Sequence, residues 1–229
     1  DGPVVIEDLA IQILQKRPSK AKNPHQAALT KIREANGRQL VYLDPTHVLP
    51  LRLAYHGARY RIRLTKENVD QSALSIYDNF QSYLSFRNSD AFSLIDSVGN
   101  PIAYQILEPP HTTTFSSDKK VEYHQPVVVL KEWFRSQQMY HKDHILVTIE
   151  DWERGVFRLE RERFGEQRAD LLAERNQYFT DAFYALLESA QYEDVHAHIA
   201  LPTIYAKIPN KGGYPPDQWM VIINNDPRM

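Results

Sequence analysis

At 229 residues, 42% hydrophobic and 24% charged, the chain is long enough to bury a real core as one large unit or two to three small ones. No apolar run approaches the roughly 20 residues that span a bilayer and no leader pattern opens the chain, so the expectation is a cytoplasmic protein without a membrane partner. Zero cysteines exclude disulfides, thiolate metal sites and a cysteine nucleophile. Net charge is only -2, but residues 1–64 hold 11 Lys or Arg against 5 Asp or Glu while the remainder holds 16 against 24, a basic head on an acidic body.

The first predicted element is an amphipathic helix over 4–14, VVIEDLAIQIL, with Val5, Leu9 and Ile13 and the neighbouring Ile6, Ala10 and Leu14 on one stripe. Pro18 ends it. Asn23 followed by Pro24 is a helix start, an N-cap and then the residue best tolerated at the first helical position. From there Ala28, Leu29, Ile32 and Ala35 form a buried face, Gln26, Thr30 and Arg33 form the opposite face, and Asn36-Gly37 stops the helix. RQLVYLDPTHVLPLRL then predicts two short strands around a DPTH turn.

Helix, basic turn, helix and hairpin is the order of a winged helix-turn-helix. VVIEDLAIQILQKRPSKAKNPHQAALTKIREA with RQLVYLD resembles bacterial HARE-type helix-turn-helix domains over residues 3 to 53, and the segment RPSKAKNP departs from that pattern by offering no middle helix. The resemblance implies DNA binding or a role close to transcription or DNA modification, with the second helix as reader. Independently of it, Lys16, Arg17, Lys20 and Lys22 lead into a helix N-terminus, the arrangement that neutralises and hydrogen-bonds phosphates. Gln26 suits adenine and Arg33 suits guanine in a major groove. The expected double-stranded DNA contacts are therefore Lys16, Arg17, Lys20, Lys22, Asn23, His25, Gln26, Thr30, Arg33 and Arg38. A protein-interaction scaffold that docks an acidic partner through the same basic head is the alternative, and a solvated polar face is the bland reading.

The middle of the chain carries strand patterns. ARYRIRL alternates through Tyr60, Ile62 and Leu64 and places Arg59, Arg61 and Arg63 on the other face, either as an extension of the basic surface or as the wet face of an edge strand. AFSLIDSVGNPIAYQIL predicts two strands around a turn, QPVVVLKEWFRSQQM a strand running into a short helix, and HILVTIEDWERGVFRLERE a hairpin. YRIRLTKENVDQSALSI and VVVLKEWFRSQQMYHKDHILVTI both read strand, helix, strand. HKDHILVTIEDWERGVFRLE resembles the closing hairpin of plant-type and restriction-enzyme-type DNA-binding pseudobarrels, which are built from two such copies.

Residues 166–190 predict a long helix whose stripe, Leu171, Leu172, Phe179, Ala182, Phe183, Leu186 and Leu187, packs on the body or forms a homodimer. EDVHAHIALPTIYAKIP is expected as short helical pieces broken at Pro202, and WMVIINND as a last strand. Tyr184, Tyr192, Tyr205, Tyr214 and Trp219 cluster here as core and lid. The expected class is thus α+β: a winged helix-turn-helix over 1–53, a mostly antiparallel β-barrel, with the pseudobarrel as one form of it, over 54–162, and a helical region over 163–229 packed on the barrel.

Catalysis finds little support in the sequence. Phosphate-cradling, dinucleotide, nucleophile-elbow and nuclease patterns are missing, and the carboxylates of EDWERGVFRLERERFGE read as ordinary solvation. His196 and His198, close to Asp194, could share an ion on a strand but diverge by roughly 200° on a helix. A metal-dependent hydrolase built on them is the second alternative, and no cofactor is expected.

Overall fold

A computed structural model of the chain describes residues 2–85, 92–114, 120–191 and 194–228. A two-residue strand, β1 (Val4–Val5), runs into α1 (Ile6–Lys16), which ends at Arg17 because Pro18 cannot continue it. Residues 17–23 form an irregular connection with bends at Arg17 and over 21–23, and α2 (Pro24–Glu34) starts where the sequence predicts. The Asn23 side chain accepts a hydrogen bond from the Gln26 amide at 3.2 Å. β2 (Leu40–Tyr42) and β3 (His47–Pro50) form the hairpin with Val41 opposite Leu49, and β1 adds to the other edge of β3. Ala10, Ala28, Ile32, Leu40 and Val48 make a small core of their own. The unit keeps the order helix, turn, helix, hairpin without a helix between α1 and α2.

α3 (Leu51–Tyr55) leads into the body. There β4 (Arg59–Arg63), α4 (Lys66–Gln71) and β5 (Ala73–Ser75) form one strand-helix-strand unit, followed by α5 (Ile76–Asn79), β6 (Ser93–Ile95), β7 (Gln105–Leu107) and the hairpin of β8 (Pro110–Thr114) and β9 (Lys120–His124). β10 (Val127–Val129), α6 (Lys131–Gln137) and β11 (His144–Asp151) form the second unit, and β12 (Val156–Glu162) closes a long hairpin with β11. The echo in the sequence is an echo in space. β4 pairs antiparallel with β11, Ile62 opposite Ile145, and β5 pairs antiparallel with β10, Leu74 opposite Val128. The first strand of each unit thus meets the last strand of the other. Both helices also end on a left-handed residue, Ser72 at φ 53° and Gln138 at φ 52°.

Among the described residues no sheet closes into the expected barrel. The strands divide into sheets of order β4-β11-β12-β6 and β5-β10-β7, beside the separate β8-β9 hairpin. The physical reason lies in AFSLIDSVGNPIAYQIL: its two segments pair only next to the turn, where Ile95 bridges Pro101, Asp96 N donates to Asn100 O at 2.9 Å and Ile102 N donates to Leu94 O at 2.8 Å, and then they part. β6 lies parallel to β12, and β7 crosses to β10 in the other sheet.

Helical segments cover the body: α7 (Ala169–Ser189), α8 (Ala197–Lys207) and α9 (Trp219–Asn225). α8 runs unbroken through Pro202, against expectation. Six successive residues, Ala200 to Tyr205, are buried, and that packing offsets the ~3 kcal/mol a helix-interior proline costs. α9 replaces the expected last strand because Trp219, Ile222 and Ile223 fall on one helical face against the core. The middle of the α7 stripe is turned inward, Phe179 meeting Tyr205 at 5.1 Å and Phe183 meeting Trp219 at 6.3 Å, so these rings pack inside the chain, while Leu171, Leu172 and Leu187 are half-buried. Tyr192 lies outside the described residues, whereas Tyr205 is fully in the core with Tyr55, Tyr60 and Tyr83.

Gly37 joins the N-terminal unit to this body. Its φ is +72°, and an added Cβ would lie 2.6 Å from Ile199 Cγ1 and 2.7 Å from His198 Cδ2. Gly57 has φ +71° with nothing within 4 Å. Gly57→Ala should therefore cost only left-handed strain, about 1 kcal/mol, and Gly37→Ala that strain plus overpacking, about 2–4 kcal/mol, compared by urea denaturation. Equal costs would mean that the close approach of Gly37 to α8 carries no energy.

Candidate nucleic-acid interface

The basic turn is built by two local decisions. Pro18 releases the chain from α1, and Asn23-Pro24 fixes where α2 begins, so Lys16, Arg17, Lys20 and Lys22 crowd into the connection with no acidic residue among them. All four are exposed, and among the described residues none has an ion-pair or hydrogen-bond partner through its side chain. Ala21 N donates to Ser19 Oγ at 3.2 Å, a local bond that shapes the turn.

Asn23 uses its side-chain oxygen as the helix cap. Gln26, Thr30 and Arg33 are exposed along one face of α2, as their spacing predicts. The Thr30 hydroxyl donates to the Gln26 carbonyl at 3.0 Å, which leaves it an acceptor for incoming groups. Arg33 has no partner among the described residues. Lys31 is paired with Glu34 at 2.5 Å, and His25 Nε2 lies 2.8 Å from Glu7, tying the start of α2 to α1. Arg38 is set apart from the rest. It lies beyond the far end of α2, about 16 Å of helix from the basic turn, and lines a cleft with Gln39, Pro50, Arg52, Ser85 and Trp152. The structure therefore gathers Lys16 to Gln26 at one end and separates Arg38 from them. Arg52, Ser85 and Trp152 were missed by sequence reasoning, since nothing local marks them.

The hairpin after α2 is not a basic wing. At its tip Asp44 accepts from the Thr46 amide at 2.7 Å, the Thr46 hydroxyl at 2.7 Å and the His47 amide at 2.8 Å. These bonds, the Thr46 hydroxyl first, hold the Asp44 carboxyl well below the usual carboxylate range.

The arginine strand does not extend the basic surface. Arg63 is exposed, Arg59 pairs with Glu160 at 3.3 Å, and the Arg61 side chain has no exposed surface at all. β4 lies at the edge of its sheet, but that edge is covered: the Arg61 amide donates to Pro216 O at 2.9 Å, and the Gln218 amide donates to Arg61 O at 3.1 Å. The guanidinium donates to Glu162 Oε2 at 2.7 Å and lies 3.9 Å from Asp217, with the Tyr214 ring 5.4 Å below it. Tyr214 donates its hydroxyl to Glu162 Oε1 at 2.5 Å. Glu162, at the end of β12, is thus a buried counter-charge rather than the solvated carboxylate expected from the sequence. His144 lies 4.0 Å from Glu162, and its Nδ1 accepts from the Gln167 side-chain Nε2 at 2.7 Å. Burial, then the charges of Arg61 and Arg63, push His144 down to about 4, with Asp143 opposing.

His196 and His198 stack with ring centroids 5.3 Å apart at the start of α8, His196 as the N-cap and His198 in the first turn. Among the described residues no third His, Cys, Asp or Glu joins them to form a ligand set. Compared with protein families, with curated proteins and with solved structures, the chain matches none. Among the described residues no helix is long and apolar enough to cross a membrane.

Two outcomes test the buried cluster. Glu162→Ala removes the only hydrogen-bonded counter-charge of Arg61 among the described residues, leaving Asp217 at 3.9 Å, and should cost about 3 kcal/mol in denaturant unfolding. The lowered His144 value means that the unfolded chain binds a proton below its ordinary value of 6.5 that the folded chain refuses until about 4. Stability should accordingly fall as pH drops through that window, by on the order of 3 kcal/mol, and His144→Gln should flatten the slope. A slope unchanged by the substitution would remove His144 as its source.

Proposed function

We propose that the chain binds duplex DNA through its N-terminal unit, with the turn Lys16–Lys22 on the phosphates and the exposed face of α2, Gln26 and Arg33, toward the base edges. The observation that carries the reading is the set of four exposed cations, unpaired among the described residues, leading directly into a capped helix with polar side chains turned outward. Phosphates attract such a cluster and release counterions on binding, while α2 offers a guanidinium and a carboxamide of the type that reads guanine and adenine. Residues 1–53 hold 8 Lys or Arg against 5 Asp or Glu, so the attraction comes from where the cations sit more than from the total. The reciprocal strand-helix-strand pairing of the body supports the same class, since this is the architecture expected of a DNA-binding pseudobarrel. In this reading the protein serves transcription regulation or DNA defence as an accessory rather than as an enzyme.

A protein partner is the second reading, favoured by the hairpin tip, where Asp44 stands in place of a basic wing. The experiment is duplex binding measured across a salt series. Lys20→Glu with Lys22→Glu should weaken binding to all sequences alike and lower the salt slope by roughly 0.9 for each phosphate no longer neutralised, while Arg33→Ala should change base preference. Absence of duplex binding at low salt, with an acidic protein retained after nuclease treatment, would transfer the surface to the second reading.

A further inference from the structure

Where the N-terminal unit meets the body, two adjoining clefts of about 860 and 410 Å³ share one wall, Ser85 and Trp152. These two residues are 6% and 9% exposed, and among the described residues neither Ser85 Oγ nor Trp152 Nε1 has a hydrogen-bond partner. A buried polar atom left unpaired costs about 1–3 kcal/mol, so two of them on one shared wall mark a place where an acceptor belongs. The indole N–H can only donate.

The larger cleft adds two guanidinium groups, Arg38 from the end of α2 and Arg52 from α3, both exposed and both without an ion-pair partner among the described residues. The guanidinium fork matches phosphate oxygens. Glu153 is the acid on the same cleft. The smaller cleft is lined by flat rings, Tyr77, Trp152 and Trp219 among them, together with His196 and His198. Burial first, then His196 and Arg38, push His198 below its ordinary value, so the field of Arg38 reaches into the aromatic cleft. Donors and cations on one side and ring faces on the other suit an anionic ligand with a flat end, and the volumes fall within the range of small-molecule sites.

We propose that the joined clefts bind a small phosphate ester of a flat ring, of the nucleoside monophosphate class. The phosphate sits against Arg38 and Arg52 and the ring lies along Trp152 in the smaller cleft, and a small shift of the shared wall on binding would bring Ser85 Oγ and Trp152 Nε1, which have almost no exposed surface in the empty clefts, to acceptors of the ligand. The site does not depend on duplex binding, and the test is made without DNA.

Adenosine 5′-monophosphate, uridine 5′-monophosphate and 4-nitrophenyl phosphate are titrated into the full chain by calorimetry, with inorganic phosphate and adenosine as the separated halves. At least one ester should bind with one-to-one stoichiometry, at least about tenfold tighter than either half. Arg38→Gln with Arg52→Gln, exposed positions whose folding is checked by circular dichroism, should weaken it by about tenfold or more. Trp152→Phe, which keeps a ring and removes the donor, should weaken it by about fivefold. Failure of all three esters to bind, adenosine binding as tightly as its monophosphate, or affinity unmoved by the double arginine change would each overturn the proposal.

Discussion

A guanidinium with no exposed surface, Arg61, determines where the C-terminal third of the chain lies. Its backbone exchanges hydrogen bonds with Pro216 and Gln218, and its side chain needs Glu162 at 2.7 Å with Asp217 close behind. Burying an ion pair gains little net stability, but burying one partner alone is severe. Any other docking of the segment before α9 would strip Arg61 of Asp217 and the Tyr214 ring and leave the edge of β4 unpaired. With that segment fixed, α8 and α9 on either side of it are fixed as well. α8 presents His198 and Ile199 to Gly37, so the position of the N-terminal unit follows from a pairing made elsewhere, along the edge of the β4 sheet.

The same dependence explains what was legible in the sequence. Caps, periodic stripes and tight hairpins are local: Asn23 caps α2 as its type requires, and β11 and β12 pair around the turn their sequence marks. The period-2 rule also places Arg59, Arg61 and Arg63 on one face correctly. Whether that face is wet is decided by residues 214–218, far along the chain, and no window of sequence holds that information. Pro202 and the run Met220-Val221-Ile222-Ile223 misled for a related reason. Propensity argues for a break and for a strand, and burial of Ala200–Tyr205 and of Ile222 overrides both.

The candidate DNA-facing residues were legible because little in the fold touches them. An exposed lysine in a turn has no tertiary partner to discover, so its type and neighbours are most of its story. The seam clefts are the opposite case. Arg38, Arg52, Ser85 and Trp152 come from four separate stretches, and only the reciprocal pairing of β4 with β11 and the docking of the N-terminal unit bring them to one wall. Ser85 and Trp152 draw notice through the unpaired atoms they bury, a property that exists only after folding.

The two surfaces lie at opposite ends of α2. The basic turn precedes its first residue and Arg38 follows its last turn, about 16 Å apart, beyond the Debye length of about 8 Å at physiological ionic strength. Direct attraction between bound phosphates and the seam is therefore screened, and coupling would require the N-terminal unit to adopt a second position that one ligand prefers. Gly37 argues against a cheap second position. Its Cα is packed so closely on His198 and Ile199 that even a methyl group finds no room, and close packing of this kind shifts between discrete arrangements rather than yielding gradually. An occupant of the seam bridges residues of both units across that junction and so adds to its rigidity, which leaves the start of α2 where it already stands.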